Sequence, residues 1–301
     1  MIGKTRRQSA AADPLRHDAE PGPGTRTPSA VGAARGVLPS QPLSGAFHHA
    51  RHLPPAQLQP FVQHLWIVRW DLRGQAPQVR ETLPHPSVHL IFERALTRIY
   101  GVHTVRYTRV LEGEGCVFGV KFRPGGFRPF LRRPLSTLAD SSLALPDVFG
   151  AASIGLEGEV LACGDELGMI DVVTRFFAQH LPPADADIDR AADIVDQIDR
   201  DRRLTTVEAV VARSGLGKRA LQRLFNEYVG VGPKWVINRF RLHEAIEQLA
   251  AGKPLDWSVL ALDLGYFDQA HFIHDFRKLV GRTPAQYVRE IAANAAPTQR
   301  E

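Results

Sequence analysis

Phe225-Asn-Glu-Tyr-Val-Gly230-Val-Gly-Pro233 recurs nearer the C-terminus as Phe276-Arg-Lys-Leu-Val-Gly281-Arg-Thr-Pro284. Each copy follows a helical pattern that ends at a glycine, Val207–Gly215 before the first copy and Trp257–Gly265 before the second. A helix, a tight glycine turn and a second helix are typical of a helix-turn-helix. The repetition therefore predicts two such units in tandem within one chain.

A long helix, Lys234–Ala250, is predicted to join the two units. Gly232-Pro233 stands at its start and Gly252 just past its end, the usual placement of proline and glycine at helix termini. About 17 residues at about 1.5 Å each span roughly 26 Å, close to the roughly 34 Å between successive major grooves on one face of DNA. The apolar stripe that would hold both units consists of Trp235, Leu242, Ile246 and Leu249.

The second helix of each unit is predicted to turn polar side chains outward. Leu221, Leu224 and Phe225 share the inward face in the first unit, as Phe272 and Phe276 do in the second. Arginine and glutamine on the outward face can form bidentate hydrogen bonds to guanine and adenine. For a single helix of this kind, a charged face that only contacts solvent is the alternative. The tandem arrangement of two such units favours DNA binding over that alternative. The candidate DNA-binding residues are Lys218, Arg219, Gln222, Arg223, Gln269, His271 and His274.

The second helix of the second unit has a predicted N-cap and two histidines whose role is open. Asp268 occupies the N-cap position of its second helix, where a carboxylate can accept a hydrogen bond from a free amide. For its histidines, a partly buried structural role remains an alternative to contact with bases or phosphates.

The C-terminal hundred residues resemble the AraC/XylS family of bacterial transcription regulators. The resemblance rests on Ser214-Gly-Leu-Gly-Lys-Arg-Ala-Leu-Gln-Arg-Leu-Phe225, on Arg241-x-x-x-Ala245-x-x-x-Leu249, and on Gly265-Tyr-Phe-Asp-Gln-Ala-His-Phe-Ile-His-Asp-Phe276 with Gly281-Arg-Thr-Pro284. It implies two major-groove helices, with contacts from Arg219, Gln222 and Arg223 and then from Gln269 and His274. Gly217 stands where a serine usually opens the first recognition helix, and His274 where an arginine is common.

The N-terminal half is predicted to be β-rich. Trp66, Val68, Trp70 and Leu72 alternate at period two, and Val88–Phe92 and Val117–Phe122 form short apolar runs. Met169–His180 has helical spacing and stops before Pro182-Pro183. We therefore predict a disordered tail over residues 1–44, a β-rich sensing or dimerisation domain over 45–182 and a double helix-turn-helix domain over 186–292.

Residues 47–150 are similar to a β-rich, sensor-like domain that precedes this DNA-binding domain in many actinobacterial and proteobacterial relatives. Leu83-Pro-His-Pro-Ser-Val-His-Leu-Ile-Phe92 and Gly119-Val-Lys-Phe-Arg-Pro-Gly-Gly126 carry the resemblance. It implies no identified ligand.

A metal-dependent, cupin-like enzyme with a DNA-binding appendage is the alternative from another class. This alternative rests on four potential metal ligands, His85, His89, Glu93 and His103. Residues four apart on a straight strand lie roughly 13 Å apart, whereas metal ligands must lie about 2 Å from one ion. We therefore expect no enzyme activity, no catalytic or metal site and no cofactor.

Composition limits the partners and the cellular location that are expected for this protein. The pI near 9.5 permits a nucleic-acid partner, and Cys116 and Cys163 have no metal-ligand spacing. Neither a signal core nor a membrane-spanning run is apparent, which favours a cytoplasmic protein. The predicted fold class is α+β, a β-rich domain followed by an all-α domain with two helix-turn-helix units on a linker helix. The expected partners are double-stranded DNA and RNA polymerase, with a small-molecule effector and a homodimer left open.

Overall fold

The computed structural model of the chain describes Leu38, residues 46–251 and residues 256–295. The predicted disordered tail over 1–44 lies outside the described residues except for Leu38, which is buried and donates its backbone N–H to the carbonyl of Glu81 at 3.0 Å. Eight strands lie within residues 46–143. They are β1 Ala46–His52, β2 Val62–Asp71, β3 Gln78–Thr82, β4 His89–Phe92, β5 Arg98–Tyr100, β6 Tyr107–Leu111, β7 Glu114–Phe122 and β8 Ser142–Leu143.

Six of the strands form one antiparallel sheet in the order β1-β2-β7-β4-β5-β8, and β3 pairs with β6 in a second sheet. Leu65, Ile67, Phe118, Val120 and Leu90 lie on one face of the large sheet because alternate residues of a strand share a face. On the opposite face, Leu111 of β6 belongs to a small cluster with Trp70 and Val117. The two-stranded sheet therefore packs against that opposite face.

Four α-helices follow β7 in the β-rich part of the chain, the first before β8 and the other three after it. They are α1 Arg128–Leu131, α2 Pro146–Phe149, α3 Leu156–Leu161 and α4 Glu166–Ala178. Val173 and Phe177 of α4 are fully buried against the apolar face of the large sheet. The helical spacing of Met169–His180 is thus explained by one buried stripe, and the predicted helix is confirmed apart from its boundaries.

Seven α-helices lie within residues 186–251 and 256–295. They are α5 Ala186–Arg200, α6 Val207–Ser214, α7 Lys218–Leu224, α8 Pro233–Ala250, α9 Trp257–Asp263, α10 Gln269–Val280 and α11 Pro284–Ala295. The predicted fold class, with a β-rich part followed by two helix-turn-helix units on a linker helix, is confirmed.

Helix boundaries follow from local chemistry. Thr206, Asp256 and Asp268 cap α6, α9 and α10, each accepting hydrogen bonds from backbone amides of the first turn. Gly217 gives α7 no side-chain cap. The first helix of the first unit begins at Val207, because Thr206 supplies the cap. α7 continues into a π-helical turn over Phe225–Val229.

Within residues 46–251 and 256–295, no helix is both long enough and apolar enough to cross a membrane.

Candidate nucleic-acid interface

The outward face of α7 carries four exposed polar side chains. Lys218, Arg219, Gln222 and Arg223 all lie on the surface, whereas Leu221, Leu224 and Phe225 are buried as predicted. Lys218 Nζ lies 2.9 Å from Glu208 Oε1 on α6. Because both members of this pair are exposed, the contact orients Lys218 and adds little to stability.

The outward face of α10 carries the three remaining candidates. His271 and His274 are exposed, so neither takes the buried structural role that the sequence left open. Gln269 is half-buried, and its Oε1 lies 3.3 Å from Ser258 Oγ on α9. Asp268 Oδ1 accepts the backbone N–H of His271 at 2.7 Å, which fixes the first turn of α10.

A cleft of about 300 Å³ lies between α7 and the start of α8. Gln222, Asn226, Gly232 and Lys234 are among the residues that line it. The first turn of α8 contains no acidic residue, and the free amides at a helix start attract anions. Lys234 was not among the predicted site residues, because a lysine at the first turn of a helix carries no sequence signal of its own.

The linker helix α8 divides its buried side chains between the two units. Val236, Ile237 and Phe240 pack in a cluster with Leu221, Leu224 and Phe225, here named the first-unit cluster. The predicted stripe residues Leu242, Ile246 and Leu249 pack with Phe272 and Phe276 in the second-unit cluster. Each half of α8 therefore belongs to the core of one helix-turn-helix unit.

Buried polar residues on α8 complete its packing. Arg239 and Arg241 are only 2 % and 3 % exposed, and His243 is also buried. Arg241 donates to the carbonyl oxygens of Ile198 at 2.7 Å and Arg202 at 3.2 Å. These carbonyls lie at and just beyond the C-terminal end of α5, so Arg241 caps that helix.

The β-rich part touches both helix-turn-helix units at equivalent glycines of the repeat. Gly230 has φ +90°, and a Cβ there would lie 3.1 Å from the carbonyl oxygen of Leu135. Gly281 has φ +83°, and a Cβ there would overlap the guanidinium of Arg106. The left-handed backbone favours glycine at both positions, and at Gly230 the close approach of the Leu135 backbone adds to this requirement.

Further contacts join the β-rich part to α8 and to the second unit. Arg239 donates to the carbonyl oxygen of Pro84, and the ring centroids of His85 and His243 lie 5.2 Å apart. Arg282 Nη1 lies 2.9 Å from Glu81 Oε2. The β-rich part therefore contacts the linker helix and the second unit as well as the first unit.

Basic side chains from three strands form a row on the face of the large sheet opposite to α4. We name it the basic row. The register pairs Lys121 of β7 with His64 of β2 on one side and with His89 of β4 on the other. Arg51 Nη2 lies 3.2 Å from His64. Burial, and then the charges of Lys121 and Arg51, lower the pKa of His64 to about 2. Burial and then Lys121 lower the pKa of His89 to about 3.

Three of the four residues of the cupin-like alternative have other neighbours. His85 lies against His243, Glu93 forms an ion pair with Arg109, and His103 lies between Tyr100 and Tyr107. Among the residues that the structure describes, no group of three or more His, Cys, Asp and Glu side chains could hold a metal ion. Nothing in this arrangement favours the enzyme alternative.

Comparison with known proteins divides the chain in the same way. Residues 50–144 match a family described as a domain of unknown function (DUF6597), and residues 210–290 match a family described as a helix-turn-helix domain. No curated protein matches the chain.

Solved structures of two different proteins are similar to the chain. A probable AraC family transcriptional regulator from Rhodopseudomonas palustris is 25 % identical, with 34 % of this chain and 97 % of that chain covered and a TM-score of 0.32. ToxT from Vibrio cholerae is 11 % identical, with 82 % and 99 % covered and a TM-score of 0.36. ToxT bound to an unsaturated fatty acid is 13 % identical, with 85 % and 99 % covered and a TM-score of 0.34.

Proposed function

We propose that the chain is a DNA-binding transcription regulator of AraC type and that it contacts two adjacent major grooves of one duplex through α7 and α10. One observation carries this proposal: the same helix-turn-helix unit occurs twice, and each copy presents its polar side chains outward while its apolar side chains are buried. Arg219, Gln222 and Arg223 contact bases from α7, and Gln269, His271 and His274 contact bases or phosphates from α10. Lys218 and the start of α8 neutralise phosphates.

Replacement of Arg223 by alanine is expected to weaken specific DNA binding by about 1–3 kcal/mol and to relax the preference at one base pair. Arg223 is exposed on the outward face of α7, so the change leaves the first-unit cluster intact. In vitro selection of preferred DNA sequences, followed by titration of the selected site, measures both effects.

Lys218→Ala is the matched variant for this experiment. It should weaken all DNA sequences alike and reduce the steepness of the salt dependence, because a lysine–phosphate contact carries no sequence information. If Arg223→Ala changes neither the affinity nor the selected sequence, α7 is not a recognition helix.

We also propose separate roles for the two parts of the chain. Residues 186–292 bind DNA, and residues 45–182 sense a ligand or self-associate. The contacts of Leu135, Arg106, Pro84 and Glu81 with the helical part support control of the DNA-binding units by the β-rich part. The protein acts in the bacterial cytoplasm, with RNA polymerase as its protein partner and a homodimer as its assembly.

The effector proposed for the β-rich part is a small organic anion. Lys121 and Arg51 supply positive charge beside His64 and His89. The lowered pKa values keep both imidazoles neutral near pH 7, so each ring can still donate an N–H. Trp66 supplies an adjacent apolar wall and lies directly over Gly119, where a Cβ would be 2.0 Å from the indole. A carboxylate or phosphate with an apolar body suits this face.

A thermal-shift series with benzoate, decanoate and inorganic phosphate tests the effector proposal. At least one of these anions should raise the Tm of the full chain, and Lys121→Met should abolish the rise, because a ligand that binds only the folded state stabilises it. Arg133→Met removes an exposed cation elsewhere and should keep the rise. A Tm that no anion changes, or that rises equally in the Lys121→Met variant, contradicts an anion site on this row.

A further inference from the structure

Phe267 is the most exposed large apolar side chain of the described residues, with 89 % of its surface accessible. Exposure of a phenylalanine forgoes the stabilisation that burial of its ring would supply. The neighbouring Tyr266 is buried, so the exposure of Phe267 does not reflect a loose segment.

The backbone around Phe267 is held on both sides. Gly265 turns the chain at φ +80°, and Tyr266 donates its N–H to the carbonyl oxygen of Ala261 at 2.9 Å. Asp268, directly after Phe267, caps α10 through the backbone N–H of His271. The phenyl ring therefore projects into solvent from a fixed point immediately before the first turn of α10.

Phe267 therefore lies at the N-terminal end of α10, the proposed recognition helix of the second unit. In helix-turn-helix proteins the N-terminal residues of the second helix enter the major groove. The major groove offers one apolar group, the C5-methyl of thymine, and phenylalanine is among the side chains that contact it. Gln269, two residues further on, presents the amide that suits adenine.

We propose that Phe267 is a specificity-determining residue that packs against a thymine methyl group in the DNA site of the second unit. This proposal rests on the proposed function, since it requires α10 to enter a major groove. It adds a hydrophobic contact to an interface whose other candidate residues are all polar. The exposed ring loses its contact with water only when DNA is bound.

Deoxyuridine scanning tests the proposal with the full chain. Each thymine of the in vitro selected site is replaced in turn by deoxyuridine, which lacks only the methyl group. Wild type should lose about fourfold in affinity at one position within the second half-site, as expected for removal of one buried methyl. Phe267→Ala should bind the thymine site about tenfold more weakly than wild type and should no longer respond to deoxyuridine at that position.

Two controls separate this inference from the proposed function. Ile154→Ala truncates another exposed apolar side chain, 72 % accessible and remote from α10 in the chain, and should bind like wild type. Arg223→Ala should lose affinity whatever the role of Phe267. If Arg223→Ala weakens binding and Phe267→Ala does not, the inference fails and the proposed function stands. If neither variant changes binding, the proposed function itself fails.

Two further outcomes also overturn the inference. Phe267→Ala can weaken binding and yet keep the same deoxyuridine response as wild type, in which case the ring contacts the DNA backbone. Phe267→Ala can leave DNA binding intact and lower transcription from a target promoter, in which case the ring faces a protein partner.

Discussion

Replacement of Arg241 by alanine is expected to lower the free energy of unfolding by about 3–5 kcal/mol, the usual cost of removing one member of a buried charged network. The guanidinium caps α5 through the carbonyls of Ile198 and Arg202 and lies 3.0 Å from Glu244 Oε2. Its removal leaves buried carbonyl oxygens without a donor and opens a cavity between α5 and α8. Urea unfolding of the full chain near pH 7 measures the loss.

Arg200→Ala is the matched control for this prediction. Arg200 also lies near the end of α5, but its side chain is 81 % exposed and pairs with the exposed Asp196. Its removal should change the free energy of unfolding by less than about 1 kcal/mol. A loss for Arg241→Ala that is no larger than the loss for Arg200→Ala would show that Arg241 does not hold α5 to α8.

Insertion of two alanines between Phe240 and Arg241 is expected to reduce affinity for the selected DNA site by about 10³-fold or more, towards the level of non-specific binding. Two residues rotate the second half of α8 by roughly 200° relative to the first half. The insertion point lies between the halves of α8 that pack in the first-unit and second-unit clusters, so each unit keeps its own core. Titration of the selected site measures the change.

Three measurements keep this experiment decisive. Two alanines inserted between Arg73 and Gly74, in an exposed turn, should leave binding unchanged. The Arg241→Ala variant is the second control, since the insertion also displaces Arg241 from α5. The third measurement is binding of the insertion variant to the half-site of the first unit, with and without Arg223→Ala. If Arg223→Ala still weakens this binding, the first unit is folded in the insertion variant. An affinity within about threefold of wild type would mean that one unit alone carries specific binding.

The helical elements could be predicted because their signals are local. Val207–Gly215 and Trp257–Gly265 predict helices that end at glycine turns, and Gly215 and Gly265 do adopt positive φ. Asp268 was expected as an N-cap and accepts an amide hydrogen bond in that position. A repeat of such signals is visible from one sequence because each unit uses the same turn chemistry.

The basic row could not be predicted from the same kind of signal. His64, Lys121 and His89 belong to three different strands, and only the register of the sheet places them side by side. A shift of one residue in any strand would turn its member of the row to the other face. The pairing partners are far apart in the chain, so no local pattern connects them.

The sequence by itself therefore determined the two helix-turn-helix units, their order and the polar faces of α7 and α10, because periodicity, caps and turns act within a few residues. Only the tertiary structure decided the environment of α8. The sequence predicts one apolar stripe on this helix, yet Arg239, Arg241 and His243 are buried as well. Their partners Pro84, Ile198 and His85 lie on other elements. A polar side chain becomes buried when distant segments supply its hydrogen bonds and contacts, and that depends on how the whole chain packs.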